Sequence, residues 1–482
     1  MASSSLLKTI GVPCLVVSET RLLLGVFSFV VCSAQSAQVL GYDQLVDSSH
    51  KIDGSDQFRR LLQQVQPRYS LEAALLPPRP KVYQFFGKSL SIDSSGSRLV
   101  VGAADSVDSE RFVGAAYVYE RRGKNDWKLV QRLKPPNPDQ SKSALSASVV
   151  SVSISGSGSA ILVGFPYRNV SDSSKRSCCG VAYLYRRVQG EWRVVQQFLP
   201  PEPFDGEQFG SVVQLDDRGR TALITAPSAI VYGKSSGAAF VFTDKKGGWA
   251  FTQRLKLKKP SQFSYFGLAA SLDASGTTAV ISSPYRYQNT YPKPNLGAVY
   301  IFRLKGGKWR EIKHFDSPSN EIPEDNQGPF DPGFGAMVSI DGPGKTIAVG
   351  DLNPGNVYTY EKSKKGWKFF DTIRVLNSDT AKKDLIGTRS LSLSRQGSLL
   401  AAGVPASCGN CAGSGATFIY ARGENRWKKI DQLKSPRTGR DGPESFGSAV
   451  TTDKTGSVVA VGQPDADNGG KQQSGGVYVF SS

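Results

Sequence analysis

The chain has 482 residues, 39% of them hydrophobic, with 50 Gly and 27 Pro, so it is too apolar for a disordered polypeptide and too glycine-rich for a helical bundle. Its net charge is +18 and it holds only 2 His, which leaves little room for imidazole-based metal sites or a Ser-His-Asp nucleophile. A globular, mostly β protein is expected, and at about 150 residues per domain the length would suggest roughly three domains unless the sequence repeats.

Residues 1–37 carry Lys8, Arg21 and one acid, Glu19, an apolar run over 22–32, and the small-residue stretch Ser33-Ala34-Gln35-Ser36-Ala37. A basic flank, a short apolar core and small residues at a cleavage point read as a secretory signal peptide. The long n-region keeps an organellar transit peptide as the alternative. No other stretch approaches the ~18 apolar residues of a membrane span, so the mature protein is expected to be soluble and secreted or extracellular, or organellar on the alternative reading. Residues 38–68 form a linker in which 55–65 reads as one short amphipathic helix. Cys14 and Cys32 lie in the leader, which leaves Cys178, Cys179, Cys408 and Cys411. In an exported chain Cys408 and Cys411 read as a local loop disulfide, the pairing of Cys178 and Cys179 stays open, and Asn169-Val170-Ser171 is a glycosylation sequon.

All six tryptophans fall at 127, 192, 249, 309, 367 and 427, a mean spacing of 60 residues. Ahead of each lies an aromatic strand opened by glycine, and seven such strands occur, at 114–119, 180–185, 237–242, 297–302, 355–360, 415–420 and 475–480. Each unit reads as four strands. The first starts near an aromatic-Gly pair such as Phe86-Gly87 or Phe266-Gly267, with Ile386-Gly387 as a variant and Ala147-Ser148 as a departure in the second unit. A short glycine-bearing hairpin turn follows, then an apolar strand buried on both faces, the aromatic strand, and a half-buried strand led by Trp. Seven four-stranded units of this size predict an all-β, seven-bladed β-propeller over 69–482. The seventh unit stops before any Trp strand, so the ring needs a strand from elsewhere. Residues 69–78 supply it: they align with 127–136, with Tyr69 in the Trp place and Pro77-Pro78 matching Pro135-Pro136. The last blade is therefore expected to be built from both chain ends.

The Phe-Gly starts, the Val-Gly-Ala end of the second strand and the Gly-Ala-Val-Tyr-Ile-Phe strand at 297–302 resemble the FG-GAP repeats of the integrin α-chain head, over residues 69–480. The resemblance implies the propeller fold and is compatible with adhesion, lectin-like binding or an enzyme appendage. Calcium-binding members of that family carry an acidic loop between the first and second strands. Here those turns are short, with at most the adjacent pair Asp216-Asp217, whereas Ca²⁺ takes six to eight oxygens, so no metal and no cofactor is expected.

In a propeller the connections from second to third strand, and from fourth strand to the next first strand, share one face. The longest loops here belong to it. One holds Tyr285, Arg286, Tyr287 and Tyr291, and others hold Tyr167, Arg168 and Tyr232. Rings with guanidinium groups stack on sugars or anchor a protein hot spot, although such tyrosines also pack their own loops. These seven are the ligand-binding candidates. The acids of 316–333 match no metal motif, and no catalytic residue is assigned.

Without the leader the chain keeps 57 Lys and Arg against 40 Asp and Glu, much of the excess in the turns before the Trp strands, as at Arg121-Arg122 and Lys364-Lys365. Such a rim would attract polyanionic glycans. No nucleic-acid partner is expected, since no reading motif is present. The expected function is a monomeric, non-enzymatic recognition module for an extracellular protein, as in adhesion. A glycan-binding lectin-like propeller is the alternative, and a hydrolase using loop carboxylates a more remote one.

Overall fold

The computed structural model describes residues 14–22, 25–32, 68–104, 114–136, 150–168, 180–246, 248–285, 297–318, 333–352, 355–375, 389–405, 415–437 and 445–482. Contacts divide the chain into residues 1–67 and 68–482. In the first unit, strands Cys14–Leu22 and Gly25–Cys32 pair antiparallel. The helix expected over 55–65 lies outside the described residues.

The second unit is a seven-bladed β-propeller, and no helix occurs among its described residues. Blade 1 consists of Ser89–Ile92, Arg98–Ala103, Ala115–Gly123 and Asp126–Leu133, paired antiparallel in that order. Blades 2 to 6 repeat it. Blade 7 joins Ala449–Thr452, Val458–Gln463 and Gly476–Ser481 to Ser70–Leu75, so the N-terminal strand closes the ring as the alignment of Tyr69 with Trp127 predicted.

That alignment holds at the level of single atoms. The backbone N–H of Trp192 donates to Gln131, that of Trp309 to Gln253 and that of Trp427 to Asp371, each tying a fourth strand to the preceding blade. Tyr69 N–H makes the same link, donating to Asp431 Oδ2 at 2.8 Å. In all seven blades the fourth strand also carries a β-bulge three residues after the Trp position, which turns one side chain out of the alternation. Blade 1 has Val130 there and blade 6 has Ile430; blade 7 has Glu72. The buried Glu72 carboxylate accepts two bonds from Arg121 at 2.6 Å and one from the Trp127 indole N–H at 2.9 Å.

The core is not central. It falls into seven clusters, each filled from two neighbouring blades, because the second strands are buried on both faces and alternate their side chains between the blades on either side. Two glycine positions make this close approach possible. The glycine opening the third strand abuts the phenylalanine of the next blade's Phe-Gly pair: a Cβ on Gly475 would stand 2.2 Å from Phe86 O, and one on Gly237 2.2 Å from Phe266 O. Those phenylalanines are fully buried.

The turns between first and second strands line the opposite end of the channel. Backbone hydrogen bonds of 2.9 to 3.2 Å run from turn to turn, Ser94 to Gly156, Ser157 to Asp217, Asp217 to Ala274, Ala274 to Gly342, Gly342 to Arg395, Gln396 to Lys454 and Lys454 to Ser94, closing a circle. In five blades an Asp heads the turn and its Oδ1 accepts backbone N–H groups four and five residues on, or five on alone, as Asp93 does from Ser97 and Arg98; Ser155 and Ser394 play that part in the other two. Asp217 instead reaches across the opening to Arg395, blade 3 to blade 6. The five aspartates that head these turns thus serve the backbone. Adding a divalent-ion chelator is expected to shift Tm by no more than about a degree, since a structural ion would stabilise by mass action. Differential scanning calorimetry with and without chelator measures this.

Candidate functional site

On the loop face, the chain entering blades 1 and 4 runs past the preceding blade's connection between second and third strands. Entering blade 1, Tyr83 N–H donates to Gln472 O and Phe85 N–H to Gln473 O. Entering blade 4, Phe263 N–H donates to Ser235 O. The backbone is left-handed at the third and first residues before the buried phenylalanine: φ is 57° and 47° at Tyr83 and Phe85, 56° and 48° at Phe263 and Tyr265, and 76° and 61° at Gly206 and Gln208 entering blade 3. Gly206 is the low-strain solution. Tyr83 and Phe263 are bulky residues in the same conformation, at about 1–2 kcal/mol each.

Neither ring is there to fill the core. Phe263 is 53% exposed and Tyr83 37%, each stacked on the half-buried ring two residues on, at 6.4 and 6.3 Å between centroids. Tyr232 stands at the tip of a two-residue hairpin between Ile230–Val231 and Lys234–Ser235, with φ of 52° followed by 76° at Gly233, the type I′ geometry that Asn-Gly normally adopts. It is 69% exposed, and Lys256 Nζ lies 4.2 Å from its ring centre. Phe204, 51% exposed, adds a further apolar tip on the chain entering blade 3. Tyr83, Phe263 and Tyr232 are thus exposed rings on left-handed backbone.

Below the Phe204 tip lies Glu207, 1% exposed. Its position corresponds to Gln84 in blade 1, whose amide donates to the Tyr117 hydroxyl at 3.2 Å. Blade 3 has Phe240 in place of that tyrosine, and among the described residues the Glu207 carboxyl accepts a long bond from Phe204 N–H, 3.4 Å. Burial pushes the Glu207 carboxyl up to about 7, against the smaller opposing pull of the Phe204 N–H and Arg254.

Tyr232 also opens a cleft of about 530 Å³ on the flank between blades 3 and 4, whose wall includes Arg254, Lys256, Lys258, Trp309, Arg310 and Glu311.

Of the sequence candidates, Tyr285 is half-buried with its ring packed edge-on to Tyr265 at 5.3 Å. Tyr167 and Arg168 are half-buried in blade 2, the Arg168 guanidinium 5.9 Å from the centre of the Tyr183 ring. Tyr232 alone of the described candidates is exposed. Arg286, Tyr287, Tyr291, Asn169, Cys408 and Cys411 lie outside the described residues. The sequence reading passed over Tyr83 and Phe263, although the pattern aromatic-x-aromatic-Phe-Gly at 83–87 and 263–267 was visible. The rim is less cationic than the composition suggests: Arg121 is held by Glu72, Arg98 and Arg187 by Glu120, Arg186 by Asp244 and Arg422 by Glu361.

The fold defines the class, a seven-bladed β-propeller built from a four-stranded repeat. No family model and no curated protein matches the chain. Among solved structures it is similar to the β-propeller domain of Cps50 (Swd1) from Myceliophteria thermophila, with a TM-score of 0.52 and 10% identity over 86% of this chain and 99% of that one. A likeness at that identity shows the fold alone. A β-propeller is consistent with protein–protein interaction, and no helix among the described residues is long and apolar enough to cross a membrane.

Proposed function

We propose that the chain is a non-catalytic recognition propeller of the FG-GAP type which binds a protein partner outside the cell through the aromatic tips of its loop face. The observation that carries this reading is the pair Tyr83 and Phe263, exposed rings at positions where the backbone favours glycine. Strain of this kind persists where the side chain is needed for something other than folding, and large rigid rings are the usual anchors of protein interfaces. The leader over residues 1–37 supports export. The Phe-Gly repeats support the FG-GAP assignment.

The test separates folding from binding. Tyr83→Gly and Phe263→Gly together relieve two left-handed side chains while adding unfolded-state entropy, so Tm is expected to stay within about 2 °C of the parent. Capture of partner proteins from an extracellular extract is expected to fall at least tenfold in this variant. It is expected to persist in Lys364→Ala/Lys365→Ala, which changes only the exposed rim. Equal capture by the glycine variant and its parent would remove the tips from the binding surface.

A further inference from the structure

The flank cleft between blades 3 and 4 gathers cations beside a buried indole N–H of a kind that is also without an acceptor at Trp192, Trp367 and Trp427. Hydrogen-bond donors crowd it. Trp309 is 3% exposed, yet its indole N–H finds no acceptor. Arg254 donates one bond to Ile230 O at 2.7 Å while its buried Nε is also without a partner. Lys258 and Arg310 are exposed and Lys256 half-buried on the same walls. The acceptors are already engaged: Gln253 takes the Trp309 backbone N–H at 2.8 Å, and Glu311 sits 3.9 Å from Lys258 and 3.3 Å from His314.

A buried donor without an acceptor is unfavourable, so two at one site favour a ligand that brings oxygens. The charge on the walls, four cations against Glu311, selects an anion. We infer that this cleft binds an acidic oligosaccharide, its carboxylates or sulfates meeting Lys256, Lys258 and Arg310, its hydroxyl and ring oxygens accepting from Trp309 and Arg254, and one sugar ring lying against Tyr232. A peptide fits the cleft less well, because its backbone N–H groups meet walls that already carry four cations and two unpartnered donors. The volume suits two or three sugar units rather than a single ion.

The cleft shares the Tyr232 hairpin with the loop face but contains neither Tyr83 nor Phe263, so the variants of each test leave the other's residues in place. The experiment titrates the full chain with a hexamer of galacturonic acid, a neutral glucose hexamer and hexaglutamate, by calorimetry and tryptophan fluorescence, at 0.02 and 0.15 M salt. The acidic sugar is expected to bind at least tenfold more tightly than either other probe, with weakening at the higher salt. Lys258→Ala/Arg310→Ala, both exposed, is expected to weaken it about tenfold. Trp309→Phe is expected to weaken it about fivefold and to remove the fluorescence response. Lys364→Ala/Lys365→Ala, on the rim of blade 5, is expected to change it less than twofold. No binding of the acidic hexamer, equal binding of the glucose or glutamate hexamer, or equal losses in the rim and cleft variants would overturn the inference. If Trp309→Phe fails to fold, the exposed double variant decides alone.

Discussion

A chain that begins at Phe85, without the strand Ser70–Leu75, is expected to lose cooperative unfolding and to aggregate. Removing that strand takes away the ladder from Ser70↔Ser481 to Leu75↔Val477, the Tyr69 side chain from the cluster around Phe446 and Phe480, and the Tyr69 link to Asp431. It also exposes the edge of Gly476–Ser481, which with a buried aromatic face is a template for pairing with other chains. A single substitution examines the same joint more gently. Glu72→Ala leaves the Trp127 indole N–H and the inner face of Arg121 without their acceptor. Since Arg121 keeps 26% side-chain exposure, the cost is about 3 kcal/mol, below the upper range for a broken buried pair. Denaturant titration of the variant measures it, and Glu72→Gln, which still accepts from Trp127, is expected to recover part. Unchanged midpoints in both would mean that blades 7 and 1 are held together elsewhere.

The second large effect is on pH. Glu207 is expected to make the propeller less stable as pH rises. Its folded pKa of about 7 lies above the ordinary 4.5, so the folded state holds the proton more tightly than the unfolded chain does. Stability from this group is intact below about pH 4.5, falls through the window between 4.5 and 7, and is absent above 7. The shift from 4.5 to about 7 corresponds to about 3 kcal/mol. Glu207→Gln removes the titration while keeping an acceptor for Phe204 N–H. The variant is expected to show a flat stability between pH 4.5 and 7, where the parent declines, and to be the more stable protein at pH 8.5. Parallel pH curves for the two proteins, measured by urea midpoints, would show that the carboxyl is solvated in the native state.

Much of the architecture is legible in the amino-acid sequence because it repeats. The tryptophan spacing, the Gly-opened aromatic strands and the Phe-Gly pairs each recur where neighbouring blades touch, and Tyr69 in the Trp place announces the closing strand. A local pattern suffices there, since every blade meets the same surroundings. The function of single side chains is different. Asp216 and Asp217 are adjacent acids, yet one serves its own turn and the other reaches Arg395 in blade 6, a partner 178 residues away. Glu72 and Val130 hold equivalent bulge positions, and only the packing of blade 7 on blade 1 brings a guanidinium and an indole to that carboxylate.

The candidate sites divide along the same line. Tyr232, Tyr285 and Tyr167 read alike in sequence, as loop tyrosines of one face, but a ring is exposed or packed according to its spatial neighbours. Tyr265 covers Tyr285, whereas Tyr232 rides on a hairpin tip. The left-handed backbone of Tyr83 and Phe263 is met by carbonyls of Gln472 and Ser235, which approach from the preceding blade. The flank cleft joins residues 232–258 to 302–311 across a blade boundary, and its unpaired donors depend on who stands opposite. The sequence by itself determined the repeat, the strands and the ring closure, which follow from local alternation and recurrence. Which side chains face solvent, and which donors lack acceptors, was decided only by the tertiary structure, because both depend on groups that folding brings together from different blades.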